Sequence, residues 1–305
     1  MSGISVNKEE IEFLINLLDK YPLESINSIA KKENISYAKL KKLFDKYYEA
    51  SKSLTVSASI SIAKLGLMSY VAFLSVPREN IKSTIAKMYR NPFIPVAVPF
   101  FGFINGVSTV MYVPLEQRDK IDELLSRYSP NYEYYEVYAY PSKKLEFGKW
   151  EFSYDYALLL DILKRDARTP MKEIEEALGK KRPTIRYMIN RLKELGILRG
   201  FMTVVNEEAY NRGFCGIARS LSKEFLDKFK EHEIMIGVIK PEGYLIEWYF
   251  SSEEDIYQKI LEFSKYVDRF GIYYFDMFDF GIRGFSFSKA VKKDRKGYHS
   301  ILDFD

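Results

Sequence analysis

The sequence predicts an α+β fold in which one pair of units occurs twice, a three-helix unit with a wing followed by a βαββαβ sheet unit. Three observations predict it. Apolar residues recur at helical spacing in two groups of three short segments. Each group is followed by alternating, β-branched and aromatic runs that read as strands. The order of elements after each group is the same, so the chain reads as an internal duplication.

In the first copy, NKEEIEFLINLLDKY, ESINSIAKKE and SYAKLKKLFDKYYEA read as three helices, with Ser36 as N-cap of the third. LTVSASISIAKLG follows as the wing. MSYVAFLSVP, RENIKSTIAKMYRN, IPVAVPFFGFINGVSTVMYVP, EQRDKIDELLSRYS and YEYYEVYAY then give strand, helix, two strands, helix and strand.

The second copy repeats this with sharper detail. Tyr156, Leu159, Leu160 and Leu163 line one helix, and Met171, Ile174, Ala177 and Leu178 the next. In KKRPTIRYMINRLKELGILRGF the apolar stripe is Ile185, Met188, Ile189, Leu192 and Leu195. Pro183 suits the first helical turn and Gly196 the C-terminal stop. ILRGFMTVVN is the wing. FCGIARSL, KEFLDKFKEH, EIMIGVIKPEGYLIEWYF, SEEDIYQKILEFSKYV and GIYYFDMF repeat the sheet unit. Three helices and a wing make a winged helix-turn-helix, whose last helix is the one offered to a DNA groove. The sheet unit is ferredoxin-like. Its open, aromatic-rich face calls for burial, against the other copy or against a second chain.

The boundaries read as 1–65 for a degenerate N-terminal helix-turn-helix and 66–145 for the first ferredoxin-like domain. They continue as 150–212 for the second winged helix-turn-helix, 213–282 for the second ferredoxin-like domain, and 283–305 for a basic tail. The tail, with KAVKKDRKGYH, reads as a solvated terminus able to add phosphate contacts.

Opposite the apolar stripe of the last helix lie Thr184, Arg186, Tyr187, Asn190 and Arg191. A solvated surface helix mixes Glu with Lys. This face instead holds the side chains that make bidentate contacts to guanine and adenine edges. Lys180, Lys181, Arg182 and Arg199 flank it as candidate phosphate contacts. In the first copy the aligned positions are Lys39, Lys41, Lys42, Asp45 and Lys46. Lysine holds phosphate as a point charge but reads bases less well than Arg or Asn. The expected division of labour therefore gives base readout to the second copy and phosphate contact to Lys39, Lys41, Lys42 and Lys46 of the first.

Composition bounds the alternatives. The 305 residues are 47% hydrophobic and 29% charged, which excludes a disordered chain. The net charge of +4 is too small to argue for nucleic acid by itself, so the clustering of Lys and Arg carries that argument. Glutamine occurs only at Gln117 and Gln258 beside abundant Lys, Ile and Tyr, a balance pointing to a heat-adapted source. A single cysteine, Cys215, permits no intrachain disulfide and reads as a small core residue. The start of the chain lacks a signal-peptide pattern and no apolar run approaches membrane length, so a cytoplasmic protein with no membrane partner is expected.

No catalytic constellation is legible. His232 and His299 lie in separate segments without metal-ligand spacing, and no phosphate-cradle or nucleophile-elbow motif occurs. The expectation is a protein that is not an enzyme and that uses no metal and no cofactor. Tyr132, Tyr134, Tyr135, Tyr138 and Tyr140, with Tyr273, Tyr274, Phe275, Phe278 and Phe280, read as core and interface packing rather than base-stacking platforms.

YALLLDILKRDARTPMKEIEEALGKKRPTIRYMINRLKELGILRGFMTVVNEEAYNRG resembles the Lrp/AsnC (feast/famine) transcription regulators of bacteria and archaea, over residues 154–213. Residues 214–280 resemble them by pattern, and 8–145 through alignment to the second copy. The resemblance implies a regulator, archaeal-like, that binds double-stranded DNA and pairs through its ferredoxin-like domains. Its partner is a second chain in a homodimer or its own other half in an intramolecular pseudo-dimer. It also implies an effector site at the turns near Gly106 and Gly243. Neither turn carries the aspartate of amino-acid-binding members, so the expected effector is an unidentified small molecule, if one exists. Two rivals share the architecture. Sirohaem decarboxylases rely on His and Arg in the ferredoxin-like part, where neither His232 nor His299 sits on a middle strand. An interaction protein with decayed DNA-binding units is the other.

Overall fold

A computed structural model describes residues 8–141, 145–205, 212–230, 234–241, 243–250, 255–274, 284–294 and 296–304. His232, Phe275, Phe278 and Phe280 lie outside the described residues. The chain divides into two bodies. One comprises Met1–Ser61, Phe152–Glu207 and Lys293–Arg295, the other Ile62–Glu151, Glu208–Lys292 and Lys296–Asp305.

The first body contains both helix-turn-helix copies. Copy one has α1 (Lys8–Lys20), α2 (Ile26–Lys32), α3 (Tyr37–Phe44) and the strand β1 (Leu54–Ile60). The Oγ of Ser25 accepts from the Ser28 N–H at 3.2 Å and that of Ser36 from the Lys39 N–H at 3.5 Å, which satisfies donors the helix starts leave open. Between α3 and β1 the backbone widens into a π-helical turn over Asp45–Ala50, which carries Tyr47 and Tyr48 inward.

The second copy's helix-turn-helix follows a ferredoxin-like half, so its strand is numbered later in the chain. It has α6 (Tyr154–Arg165), α7 (Met171–Leu178), α8 (Arg182–Glu194) and β6 (Leu198–Val205). β1 and β6 pair antiparallel, from Leu54 opposite Val205 to Ser59 opposite Gly200. The wing of each copy is therefore completed by the other. α6 packs on β1 and α1 on β6.

The second body is a closed eight-stranded barrel. Its first half consists of β2 (Leu67–Ser75), α4 (Ile81–Met88), β3 (Val96–Gly102), β4 (Gly106–Pro114), α5 (Ile121–Ser126) and β5 (Tyr132–Ala139). The other half consists of β7 (Arg212–Ala218), α9 (Lys223–Phe229), β8 (Ile234–Lys240), β9 (Tyr244–Phe250), α10 (Ile256–Phe263) and β10 (Arg269–Tyr274). The strands run β10-β3-β4-β2-β5-β8-β9-β7 around the barrel. Each half has its first and third strands side by side in the middle, and the edges join as β5 on β8 and β10 on β3. Edge-to-edge closure inside one chain removes all free strand edges. At the second seam Gly271 stands opposite Gly102. A Cβ on Gly271 would lie 2.0 Å from the Phe100 ring, so closure there requires glycine.

Inside the barrel, Val71, Phe73, Val98, Phe100, Cys215, Ile217, Ile239, Leu245 and Tyr273 form one apolar cluster. The rings of Phe73, Phe100, Phe103 and Tyr273 meet in tilted and edge-to-face pairs, with 4.8–5.4 Å between neighbouring centroids. On the helical side of the second half, Phe214, Phe225, Phe229, Trp248, Phe250 and Phe263 form another cluster. The aromatic residues of β5 divide: Tyr135 packs on the interior cluster, while Tyr132, Tyr134 and Tyr138 are half-buried; Tyr140, just past the strand, is exposed.

The tail is not a solvated terminus. Phe285, Phe287, Tyr298 and Ile301 are buried, and α11 (Phe287–Ala290) gives it a helical turn. Asn91 Nδ2 donates to the Ile301 carbonyl at 2.8 Å, Arg127 to that of Leu302 at 2.9 Å, and the Tyr298 hydroxyl to that of Leu65 at 2.9 Å. Six basic residues give the tail its charge, but large apolar residues flank them, and the buried ones decide where it sits. Among the described residues no helix is long and apolar enough to cross a membrane.

Candidate nucleic-acid interface

The geometry of α8 follows from its two faces. Ile185 and Leu192 are fully buried and Met188 nearly so, which anchors the helix to its own bundle. Ile189 is half-buried. Leu195, read from the sequence as part of that stripe, is 46% exposed. It is the C-cap residue, beyond the last regular turn, and Ile197 fills the space below instead. Ala177 on α7 is likewise exposed rather than core.

Thr184, Arg186, Tyr187, Asn190 and Arg191 are all exposed, Tyr187 at 60%. Lys180, Lys181, Arg182 and Arg199 are exposed around them. Several of these side chains are held. The Lys180 ammonium lies 3.1 Å from Asp155, and the Arg182 guanidinium 3.9 Å from Glu175. Arg199 donates to the Ser61 hydroxyl at 2.9 Å, and the Arg191 guanidinium lies 5.9 Å from the Phe152 ring centroid. Glu175, which the sequence reading passed over, also accepts from the Arg182 backbone N–H at 2.7 Å. A carboxylate there satisfies a donor at the start of α8 and fixes the turn between α7 and α8.

The equivalent face in the first copy is different. α3 has eight residues against thirteen in α8. Lys39 and Lys42 are exposed, but Lys41 forms an ion pair with Asp45 on the next turn. Lys46 lies beyond α3 in the π-helical turn. Its ammonium is 3.0 Å from the Glu10 carboxylate and 4.5 Å from the Tyr47 ring centroid. The Tyr47 hydroxyl and Lys46 ammonium together hold the Glu10 carboxyl below its usual range. Lys46 thus lies in the π-helical turn and is engaged by its own copy, whereas Arg191 lies within α8.

The loop between α6 and α7 joins the two copies. Ala167 is buried within the first copy's core, and its N–H donates to the Val56 carbonyl at 2.7 Å. The Tyr48 hydroxyl donates to Asp166 Oδ1 and accepts from the Val56 N–H at 3.3 Å. The same Asp166 oxygen accepts from the Arg168 N–H at 2.8 Å. The Arg168 guanidinium donates to the carbonyls of Pro22 and Glu24, each at 2.8 Å, and lies over the Phe44 ring at 5.2 Å. None of these contacts is visible in the periodicity, although RDAR is a conspicuous string.

The two turns singled out for an effector are tightly packed. A Cβ on Gly106 would lie 2.3 Å from the Leu74 carbonyl, and one on Gly243 2.4 Å from that of Ala218. Close approach to a neighbouring strand accounts for both glycines without a ligand. In the barrel interior the Arg269 guanidinium is 2.7 Å from Glu133, donates to the Tyr135 hydroxyl at 3.0 Å, and lies 4.1 Å from the Phe103 ring centroid. Glu247 accepts from the Tyr273 hydroxyl at 2.9 Å, and desolvation pushes its carboxyl above the usual range. Cys215 is buried, and burial likewise raises its thiol. Among the described residues no group of three or more His, Cys, Asp or Glu side chains is placed to hold a metal.

Comparison with known proteins places this geometry. Residues 158–199 match the winged helix-turn-helix DNA-binding family. The chain is 36% identical over 73 residues to the HTH-type transcriptional regulator FL11 of Pyrococcus furiosus, covering 24% of this chain and 47% of that one. It is 29% identical over 102 residues to FL11 of Pyrococcus abyssi, covering 33% and 65%. To the regulator LrpA of Pyrococcus abyssi it is 31% identical over 83 residues, covering 26% and 59%. The chain thus spans about half to two thirds of the length of the curated relatives it matches. The resemblance to Lrp-type regulators holds over this part of the chain. Among solved structures it is similar to the siroheme decarboxylase NirDL, with a TM-score of 0.64, 14% identity, and coverage of 92% of this chain and 95% of that one. The same enzyme with an iron-uroporphyrin III analogue gives 0.65 at the same identity and coverage. At that identity the likeness is one of fold.

Proposed function

We propose that this protein is a DNA-binding transcription regulator whose second helix-turn-helix reads duplex DNA. The observation that carries the reading is the exposed Arg186, Tyr187, Asn190 and Arg191 face of α8, in a segment matching a DNA-binding family and anchored by a buried apolar face. In this reading Arg186, Asn190 and Arg191 contact base edges in the major groove, with Thr184 and Tyr187 beside them. Lys180, Lys181, Arg182 and Arg199 contact phosphates, as do Lys39 and Lys42 of the first copy. The two copies act as an intramolecular pseudo-dimer, and because their faces differ the bound site is asymmetric. The protein works in the cytoplasm, without a cofactor. Selection of bound sequences from random duplex DNA at two salt concentrations tests this. A defined, asymmetric site with affinity falling steeply as salt rises supports it, whereas recovery of unselected sequence overturns it.

The fold shared with NirDL favours a second reading, a siroheme-decarboxylating enzyme. Against it stand the packed, edge-to-face Phe73, Phe100, Phe103 and Tyr273 rings of the barrel cluster and barrel strands without a histidine. Mixing the protein with sirohaem and recording the absorbance spectrum decides between them. A shifted, saturable spectrum supports the enzyme.

A further inference from the structure

The loop between α6 and α7 is a built contact rather than a connection. Three consecutive residues, Asp166, Ala167 and Arg168, each engage the first copy by a different chemistry. Asp166 takes the Tyr48 hydroxyl, Ala167 extends the backbone ladder to Val56 and joins an apolar core, and Arg168 caps two carbonyls of the α1–α2 turn. The Pro22 and Glu24 carbonyls lie where α1 has ended and α2 has not begun, so their lone pairs have no helical donor. A planar guanidinium with two donors in a fixed fork suits them, and the Phe44 and Tyr48 rings support its face. The first copy contributes a π-helical turn that carries Tyr48 to Asp166. That same turn carries Lys46, whose ammonium meets Glu10 of its own copy.

The geometry points to the first helix-turn-helix as a clamp for the second: Arg168 and Tyr48 fix the bundle that presents α8 and so set DNA affinity without touching DNA. The inference rests on the regulator reading and adds a positioning role that neither the motif nor the matched family segment assigns to these residues. α7 begins three residues after Arg168, and α8 is tied to α7 through Glu175. A loop held at three points therefore fixes the start of the pair of helices that meets the groove.

The test uses the full chain and the duplex selected with the wild-type protein. Binding is measured by fluorescence anisotropy over a range of salt for Tyr48→Phe, Arg168→Gln and Arg168→Lys, with Lys181→Ala as the phosphate-contact reference. Arg168→Gln is expected to weaken binding by about tenfold or more, because two half-buried carbonyls lose a charged donor. The slope of log affinity against log salt should stay at the wild-type value. Lys181→Ala should instead lower that slope by about 0.9. Arg168→Lys should not restore affinity, since a single ammonium cannot reproduce the two-pronged contact. Tyr48→Phe removes one oxygen and keeps the ring, so it reports on the contact where Arg168→Gln fails to fold. It should weaken binding by a few-fold. Wild-type affinity in both Tyr48→Phe and Arg168→Gln would overturn the clamp. So would a lowered salt slope in Arg168→Gln, or full rescue by lysine, either of which makes Arg168 a phosphate ligand. Failure of the wild-type protein to select any duplex would instead overturn the regulator reading.

Discussion

The two helix-turn-helix copies share a plan and differ in what their third helices do. In α8 a thirteen-residue helix keeps its polar face outward from Thr184 to Arg191. In α3 eight residues give way to a π turn, Lys41 and Lys46 pair with acids of their own copy, and Tyr48 reaches across to Asp166. Yet Leu40 in α3 and the aligned Ile185 in α8 are both fully buried. Duplication has kept the cores alike while the outward faces separated, because core packing constrains every residue it contains and a solvated face constrains few.

The comparison can be broken most sharply at the faces. Replacing Arg186 and Arg191 together by alanine should cost about 2–6 kcal/mol of affinity for the selected duplex, from bidentate contacts worth about 1–3 kcal/mol each. The same double replacement at Lys39 and Lys42 should leave the site preference unchanged. Equal loss of specificity from both pairs, measured by competition with mutated duplexes, would erase the distinction between reader and partner.

The cores offer the complementary test. Leu192→Ala and Leu40→Ala should each destabilise their body by about 2–5 kcal/mol in urea unfolding, since each leaves a cavity in a fully buried site. A far smaller loss at Leu40 would mean that the first copy is loosely packed and cannot act as a rigid support.

Smaller effects separate the lysines within the first copy. Lys42→Ala should lower the salt slope by about 0.9, as expected for one exposed phosphate contact. Lys41→Ala should change it less, because Asp45 already engages that ammonium. A larger effect at Lys41 would show that its ion pair opens on binding.

The smallest effect compares the halves of the barrel. The first half offers Val71, Phe73, Val98 and Phe100 to the interior, while the second offers Cys215, Glu247 and Tyr273. Burial raises the Glu247 carboxyl, so the folded protein holds that proton more tightly than the unfolded chain. Its contribution to stability is full below the unfolded carboxylate value, about 4.3. It is lost as pH rises through the raised folded value. Glu247→Gln should therefore flatten the fall in melting temperature over that window. An unchanged pH profile would mean that Glu247 is charged in the barrel.

Much of this was legible beforehand. The apolar stripe Ile185, Met188, Leu192 and the polar face from Thr184 to Arg191 are periodic within one helix, and periodicity is a local property of sequence. The order of strands and helices in both sheet units was legible for the same reason. The place of the tail is not legible because its six basic residues outnumber Phe285, Phe287, Tyr298 and Ile301, and averaged composition hides a few buried anchors. The π turn that carries Lys46 and Tyr48 has no marker in the sequence.

What the sequence determined by itself, then, is the inventory: two third helices with faces of different chemistry, and two sheet units whose aromatic strands had to be buried. Only the tertiary structure decided the pairing. Which edge closes on which, that β1 completes β6, and that Arg168 meets the carbonyls of Pro22 and Glu24 depend on atoms brought together across more than a hundred residues of chain. Contacts of that separation leave no period in the sequence, because they are fixed by shape and by unsatisfied donors and acceptors that exist only once the elements have formed.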